Sequence, residues 1–517
     1  MKKSKLFMII SLSVLVITII VSGTYALYKA QLSKNIGVNT TTHGLAYYIN
    51  YVKGTDITAA TLNPSTSYEG GASSDIEFWK KDDSYDIYGK IELTVNTIGT
   101  NLSNSPALKY AVVNNGNVLK EGSLKGTTSG SKVTILKNLY LEQTKQIYTV
   151  YVWLDNSEEL GNISNESLSI SVDCTASLQK EPTAADTIIS LYTSAAKVTA
   201  TNNSITYNTA PSVSLMNDRL GGTTTSLDGG NIRYYGASPN NYIYFNCSDY
   251  SNQTSSTCET WRIIGVFDGK LKLIKSESIG AYSWDNKDTS TGAENDTGKN
   301  DWTTARLMKL LNPSNYYKVD SNDNNLGQSL YYNSASGKCY SGQNNATVDC
   351  DFTSTGIKNA ETRNMIAETT YNLGGWNSNS VYSNQIYEYE RGTTVYSGRP
   401  TTWKGKIALA YPSDYGYAAD LNQCKDKTLY DYDNRTCTSN NWMKAIITNN
   451  GSNTGWLLTP RSNYSYIAWG VILSGIMGGN RAYYSSYGAA PVLYLSSELG
   501  IESGGDGSSS NPYKLSA

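Results

Sequence analysis

The chain has 517 residues, 17% of them charged, with a formal net charge of -2. That length exceeds what one hydrophobic core organises, so two or more domains are expected. The near-neutral balance excludes a basic field for nucleic acid and a long acidic tail, and a single histidine, His43, leaves almost no room for Ser-His-Asp, Cys-His or His-ligated zinc chemistry.

The N-terminus carries Lys2, Lys3 and Lys5 ahead of a long uncharged run that begins at Leu6. This is the layout of a secretory signal, with Ala26 as the small residue before a cut. The same run is long enough to stay as an uncleaved membrane anchor. Residues 1–31 are therefore read as signal peptide or N-terminal anchor. Either way the bulk of the protein is expected outside the cell, at its surface, touching the membrane only through this segment. His43 lies in "NTTTHGLAYYI", where no motif surrounds it.

Residues 32–178 read as strand and turn. "KIELTVNTI", "KVTILKNLYL" and "QIYTVYVWLD" alternate apolar and polar residues as half-buried strands do. "VNNGN" and "KEGSLKG" supply turn chemistry between them. A β-sandwich stalk is predicted. Cys174, in "SISVDCTA", is a candidate buried thiol or intermolecular partner.

"QKEPTAADTIISLYTSAAK" breaks the β pattern and predicts a short helix opened near Pro182. With the polar stretch after it, residues 179–216 are expected to form a linker.

Residues 217–517 mix element types. "TWRIIGVFDGKLKLIKSE" predicts a hairpin turning at Asp268-Gly269. "NDWTTARLMKLLNP" predicts a helix with Asn300 or Asp301 as cap. "NAETRNMIAETTYNLGG" predicts a second helix closed by Gly374. "KIALAYPSDYGYA" reads as a short strand running into a loop. The fold class expected for the whole chain is β-rich α+β: a β-sandwich followed by an irregular α+β domain.

Six cysteines fall in three local pairs that bracket polar loops: Cys247 with Cys258, Cys339 with Cys350, and Cys424 with Cys437. In an exported chain these read as three disulfide staples. No C-x-x-C occurs, which argues against metal at these positions. "DSNDNNLG" offers Asp320, Asn322 and Asn324 at alternating positions, but Asn325 and Tyr331 stand where a calcium loop needs Gly and Glu. "WDNKD" and "TGKNDW" add further oxygen donors. No cofactor and no protein-bound metal is expected; a structural calcium is the one ion left open. "YEYERG" would place Glu388 and Glu390 on one side of a strand, a carboxylate pair of the kind glycosidases use. Nothing marks a cleft around it, and no catalytic residue is assigned.

The last segment is the most informative. From Thr459 to Ser497 there is no acidic residue and only two arginines, Arg461 and Arg481. Trp456, Leu458, Trp469, Val471, Val492, Leu493 and Leu495 would form a buried frame. Asn463, Tyr464, Ser465, Tyr466, Asn480, Tyr483, Tyr484, Ser485, Ser486 and Tyr487 would face solvent as a ligand-binding surface. Tyr provides contact area with few torsions to freeze, and Ser and Asn adapt their hydrogen bonds, as in antibody paratopes.

Two resemblances accompany these readings. "SGTYALY" and "SLSISVDCTASLQ" resemble the camelysin-like exported biofilm-fibre proteins of Gram-positive cells, which implies a jelly-roll-like sandwich domain capable of self-association. "ETWRIIGVF", "NDWTTARLMKLLN", "RGTTVYSGRP", "KIALAYPSDYGYA", "GWLLTPRS" and "APVLYLSS" resemble bacterial surface domains of C-type-lectin-like fold, related in shape to formylglycine-generating enzymes. That resemblance implies a binding module, with the last strands and loops presenting the ligand surface. The late cysteine pair of the formylglycine-generating type has no counterpart after Cys437. The Tyr/Asn/Ser/Gly make-up between Trp456 and Leu495 also resembles the variable region of retroelement-diversified lectin-fold proteins, although Ala489-Ala490 stands where an arginine would be expected. The function expected is a cell-surface adhesin or receptor for an extracellular protein or glycan, with no nucleic acid. The alternatives are a structural fibre subunit and an enzyme of formylglycine-generating type.

Overall fold

The computed structural model describes residues 30–32, 48–58, 62–156, 158, 160–163, 166–219, 230–250, 252–286, 297–318, 327–339, 348–449 and 453–516. The signal or anchor run with Ala26, together with His43, Asp320, Asn322, Asn324 and Asn325, lies outside the described residues. Two compact units divide between Glu181 and Pro182. The molecule is β-rich, its strands paired almost wholly antiparallel, and none of its sheets closes into a barrel.

In the first unit two sheets face each other. One runs in the order Ala30–Leu32, Leu168–Ser177, Tyr88–Ile98, Lys132–Tyr140; the other runs Ile49–Val52, Ala72–Lys80, Ile147–Asp155, Leu108–Asn114, Asn117–Ser123. Ala30 and Gln31, at the end of the segment read as signal or anchor, pair with Ala176 and Thr175. Period-two alternation sends Ile91, Leu93 and Val95 inward from one sheet and Ile76 and Phe78 from the other, and all five are fully buried in one core. Asn115 and Gly116 both have positive φ, the geometry of the tight hairpin turn that "VNNGN" predicts. Cys174 is a free thiol packed inside this core, and burial pushes its pKa well up, so it is inert rather than a surface thiol.

The second unit is built on a nine-stranded sheet. Its path runs Val198–Asn202, Ile205–Ala210, Leu215–Asn217, Ile232–Tyr234, Glu259–Phe267, Lys270–Lys275, Val492–Tyr494, Ile407–Ala408, with Tyr242–Phe245 paired to Glu259–Phe267. The Asp268-Gly269 hairpin stands as expected, both residues at positive φ. The three local disulfides are formed as paired from the sequence.

Residues 179–216 are not a linker. The Ala184–Ser194 helix is opened by a reciprocal bond set between Thr183 at its N-cap and Asp186. It buries Ala184, Ala185 and Ile188 in the core of this unit, and Val198–Asn202 and Ile205–Ala210 are strands of the main sheet. The polar Ser/Thr/Asn composition reflects an edge hairpin with one wet face.

Two helix expectations need correction. Asn300 and Asp301 do not cap the Arg306–Leu311 helix, whose first residue follows Ala305. The second helix covers only Ala360–Met365, after which Thr369–Asn372 pairs as a strand with Thr402–Gly405. Ile366 bridges Leu495, which pulls the chain out of the helix just before the β-branched Thr369-Thr370 pair. Gly374 is needed for close approach rather than as a helix cap: a Cβ there would lie 2.3 Å from the Tyr389 carbonyl oxygen. "KIALAYPSDYGYA" folds as a two-residue strand followed by the Pro412–Tyr417 helix, opened by Pro412 and by the Asp414 carboxylate accepting from the Tyr411 N–H at 2.9 Å.

Candidate functional site

The C-terminal segment builds a three-stranded antiparallel sheet, Thr454–Pro460, Ile467–Ile472 and Met477–Arg481. The stretch "SGIMGGN" is a short turn followed by a strand. Trp456, Leu458, Trp469, Val471, Val492, Leu493 and Leu495 are all buried, as the frame requires. Trp456 donates from its indole N–H to the Tyr282 carbonyl at 2.8 Å, so a large apolar ring is buried with its one polar atom satisfied.

Two loops leave this frame and carry the candidate residues. The first, residues 461–466, is folded onto Asn300, which is itself buried. The Asn300 side-chain amide donates to the carbonyls of Arg461, Tyr464 and Ile467 at 3.1, 2.7 and 2.9 Å. Its backbone N–H donates to Ser465 O at 2.9 Å, and Arg399 Nη2 donates to the same oxygen at 3.0 Å. Asn300 thus acts as a keystone for the loop backbone. Sequence alone could not separate this role from helix capping, because both use an Asn ahead of a helix.

The second loop, 481–488, is pinned along its length. Ala482 N–H donates to Tyr466 O at 2.8 Å, Ser283 Oγ donates to Tyr483 O at 2.7 Å, and Thr454 Oγ1 donates to Ser486 O at 3.0 Å. The Asp285 N–H donates to Ala482 O at 2.9 Å. Asp285 is fully buried; burial raises its pKa, against the backbone N–H groups of Lys299 and Arg306 that its carboxylate accepts.

On this fixed backbone the side chains sort into two groups. Asn463, Tyr464 and Ser486 are exposed, and Tyr466, Asn480, Tyr483, Tyr484 and Ser485 are half-buried at the surface. Tyr483 and Tyr484 stack with centroids 5.0 Å apart, and Tyr464 and Tyr466 lie 5.8 Å apart. Arg461 places its guanidinium 5.1 Å from the Tyr464 ring centroid and 5.3 Å from that of Trp469, and Arg481 is exposed.

Ser465 and Tyr487, expected at the surface, are each only 5% exposed. The Ser465 carbonyl is the shared acceptor of Asn300 and Arg399. Tyr487 stacks on Trp456 at 4.2 Å, and its hydroxyl accepts from Asn480 Nδ2 at 3.2 Å. Gly470 makes room for that ring, since a Cβ there would lie 2.8 Å from it. Alternation inside "YYSSYG" gives no sign of this inward turn, because the stretch is not a strand.

The carboxylate pair is also separated. Glu388 and Glu390 lie on the Ser383–Glu390 helix, Glu388 exposed and Glu390 fully buried. Glu390 accepts from Ser413 N–H at 2.8 Å and from Ser413 Oγ at 2.5 Å, and burial pushes its pKa up to about 7. It does not flank a cleft with Glu388. Behind it lies a buried charge cluster: Arg233 Nε on Asp218 at 2.5 Å, Arg233 Nη1 on Asp414 at 2.9 Å, and Lys272 Nζ on Asp414 at 2.5 Å. Burial opposes ionisation of Asp414, but Lys272 and Arg233 hold its pKa below the usual range. Among the described residues no group of three His, Cys, Asp or Glu is arranged to hold a metal ion.

No protein-family model matches the chain, and no curated protein matches it. Among solved structures, it is similar to a crystal structure of the receptor binding domain of botulinum neurotoxin mosaic serotype C/D, at 10% identity over 52% of this chain and 75% of that one, with a TM-score of 0.15. At that score the likeness carries no argument about fold or function.

Proposed function

We propose that this chain is an exported cell-surface binding protein, an adhesin or receptor without catalysis, whose C-terminal tyrosine face engages an extracellular protein or glycan. The observation that carries the proposal is a solvent-facing set of Tyr464, Tyr466, Tyr483 and Tyr484 on loops whose backbones are already bonded in place. Ordering entropy is the main cost of loop-based recognition, and here much of it is met in the free protein. Arg461 and Arg481, with no acid in the same segment, bias the face toward acidic or π-rich partners. The N-terminal lysine and apolar run supports export, and three disulfides fit an oxidising compartment.

The test is a screen of the full chain on glycan and extracellular-protein arrays, repeated with Tyr464→Ala/Tyr484→Ala. The expected result is saturable binding that the double variant loses without a change in Tm. Binding that survives the double variant would remove the face from the proposal. A finer form holds that the face is diversified by adenine-directed mutation. Sequencing the gene's 3′ end across sister isolates should then show substitutions confined to adenines in codons of the exposed positions, and an invariant 3′ end would end that form.

A further inference from the structure

A second site lies away from the tyrosine face. A cavity of about 150 Å³ opens between the Asp268-Gly269 hairpin, the Thr369–Asn372 strand and the C-terminal end of the Ser383–Glu390 helix. That is the volume of a dry cavity able to hold one six-membered ring. Phe267, Tyr411 and Tyr494 are buried aromatic residues among its walls.

Hydrogen-bond capacity around the cavity is lopsided toward donors. The Tyr387 hydroxyl accepts from Asn231 Nδ2 at 3.0 Å and the Tyr411 hydroxyl accepts from the Asn372 N–H at 2.7 Å, so each keeps its own proton to give. The Tyr494 hydroxyl makes no hydrogen bond with any described residue; only its backbone is bonded, its carbonyl accepting from the Ala367 N–H at 2.8 Å. Thr369 Oγ1 is buried with no partner. Arg391 spends Nη1 on the Tyr387 carbonyl at 3.1 Å and on Glu390 at 3.4 Å, and among the described residues no acceptor meets its Nε or Nη2. Lys270 stands at the cavity without a described ion-pair partner.

The charges behind the wall do not change this reading. Arg233 and Lys272 are matched by Asp218 and Asp414. Glu390 turns its carboxylate toward Ser413. The acid among the lining residues is Asp268, exposed at the hairpin tip. Buried donors without acceptors are costly unless something accepts from them. A carboxylate has about four acceptor sites and no donor, and a guanidinium fork matches it in geometry.

From these observations we infer that the cavity is a binding site for a small carboxylate borne on a body no larger than a six-membered ring, held by Arg391, Lys270 and the hydroxyls of Tyr387, Tyr411 and Tyr494. A uronate sugar or an aromatic acid has this shape. The site is independent of the tyrosine face, and either can fail without the other.

Calorimetric titration of the full chain with sodium glucuronate, sodium benzoate, inorganic phosphate and glucose, at constant ionic strength, tests it. At least one carboxylate should saturate a single site, with glucose silent and phosphate weaker. Tyr494→Phe removes one oxygen that bonds to nothing described, and Lys270→Gln removes one unpaired charge, so both should fold with unchanged Tm. Each should weaken carboxylate binding by about tenfold, the worth of one charge-assisted hydrogen bond. Absence of saturation by either carboxylate at millimolar concentration, equal binding by both variants, or tighter binding of phosphate or glucose would each overturn the inference.

Discussion

Tyr487 and Tyr484 stand three positions apart in one tyrosine-rich loop and do opposite work. Tyr487 is packed on Trp456 and Tyr484 lies at the surface stacked on Tyr483. Tyr487→Ala should cost about 3–5 kcal/mol, the range for deleting a buried aromatic ring, and chemical denaturation will measure it. Tyr484→Ala should stay within about 0.5 kcal/mol by the same measurement. A common loss for both would mean that the two tyrosines are not sorted as described. Glu390 permits a sharper test. Its folded pKa of about 7 lies above the ordinary carboxyl value of 4.5. The folded state therefore holds a proton that the unfolded state releases first, and stability falls as pH rises from about 4.5 to about 7. Glu361, raised in the same direction by burial, adds to the slope of the wild type. The difference between wild type and Glu390→Gln isolates the Glu390 share, at most about 3.5 kcal/mol at about 1.4 kcal/mol per unit. Parallel stability curves from pH 4 to 8 would show that Glu390 is ionised at no cost. None of this was legible at the residue level. "YEYERG" and "YYSSYG" carry no periodicity that distinguishes the buried member of each set from the exposed one.

Elements were legible where a local signal agreed with tertiary pairing. The Asp268-Gly269 and Asn115-Gly116 hairpins and the Ala184–Ser194 helix follow from turn and cap chemistry alone. "NAETRNMIAETTYNLGG" failed because Ile366 and Thr369–Asn372 find strand partners far along the chain, and non-local pairing outweighs the weak helix preference of that stretch. The Ser383–Glu390 helix was missed because "QIYEYE" alternates like a strand. The staples belong to this scale as well. Cys424 and Cys437 lie 13 positions apart, and Cys437 sits within the short Arg435–Ser439 helix. Replacing both with Ser should lower the stability of the second unit by about 2–4 kcal/mol, read as a drop in its Tm, while the first unit's transition stays in place. A drop in both transitions would show that the loop supports more than its own unit.

For the whole molecule, the division between Glu181 and Pro182 separates two cores, each complete in itself. Residues 182–517 expressed alone should fold, show the same Tm as in the full chain, and retain any binding the full chain shows on the arrays. An insoluble or unfolded product would mean that the second core depends on the first unit. What the sequence by itself determined is the β-rich class, the sandwich followed by a mixed unit, the disulfide pairs and the Trp/Leu/Val frame of the last strands. Those features rest on short-range patterns: period-two alternation, turn residues and cysteine spacing. Only the tertiary structure decided that residues 182–216 belong to the second unit, that Asn300 holds the loop of residues 461–466, that Ser465 and Tyr487 turn inward, and that unpaired donors converge on a cavity between three distant segments. These depend on groups from separate elements meeting in space, Asn300 and Ser465 across 165 positions and Trp456 and Tyr487 across 31, and no local pattern encodes which of two chemically identical side chains will find a buried partner.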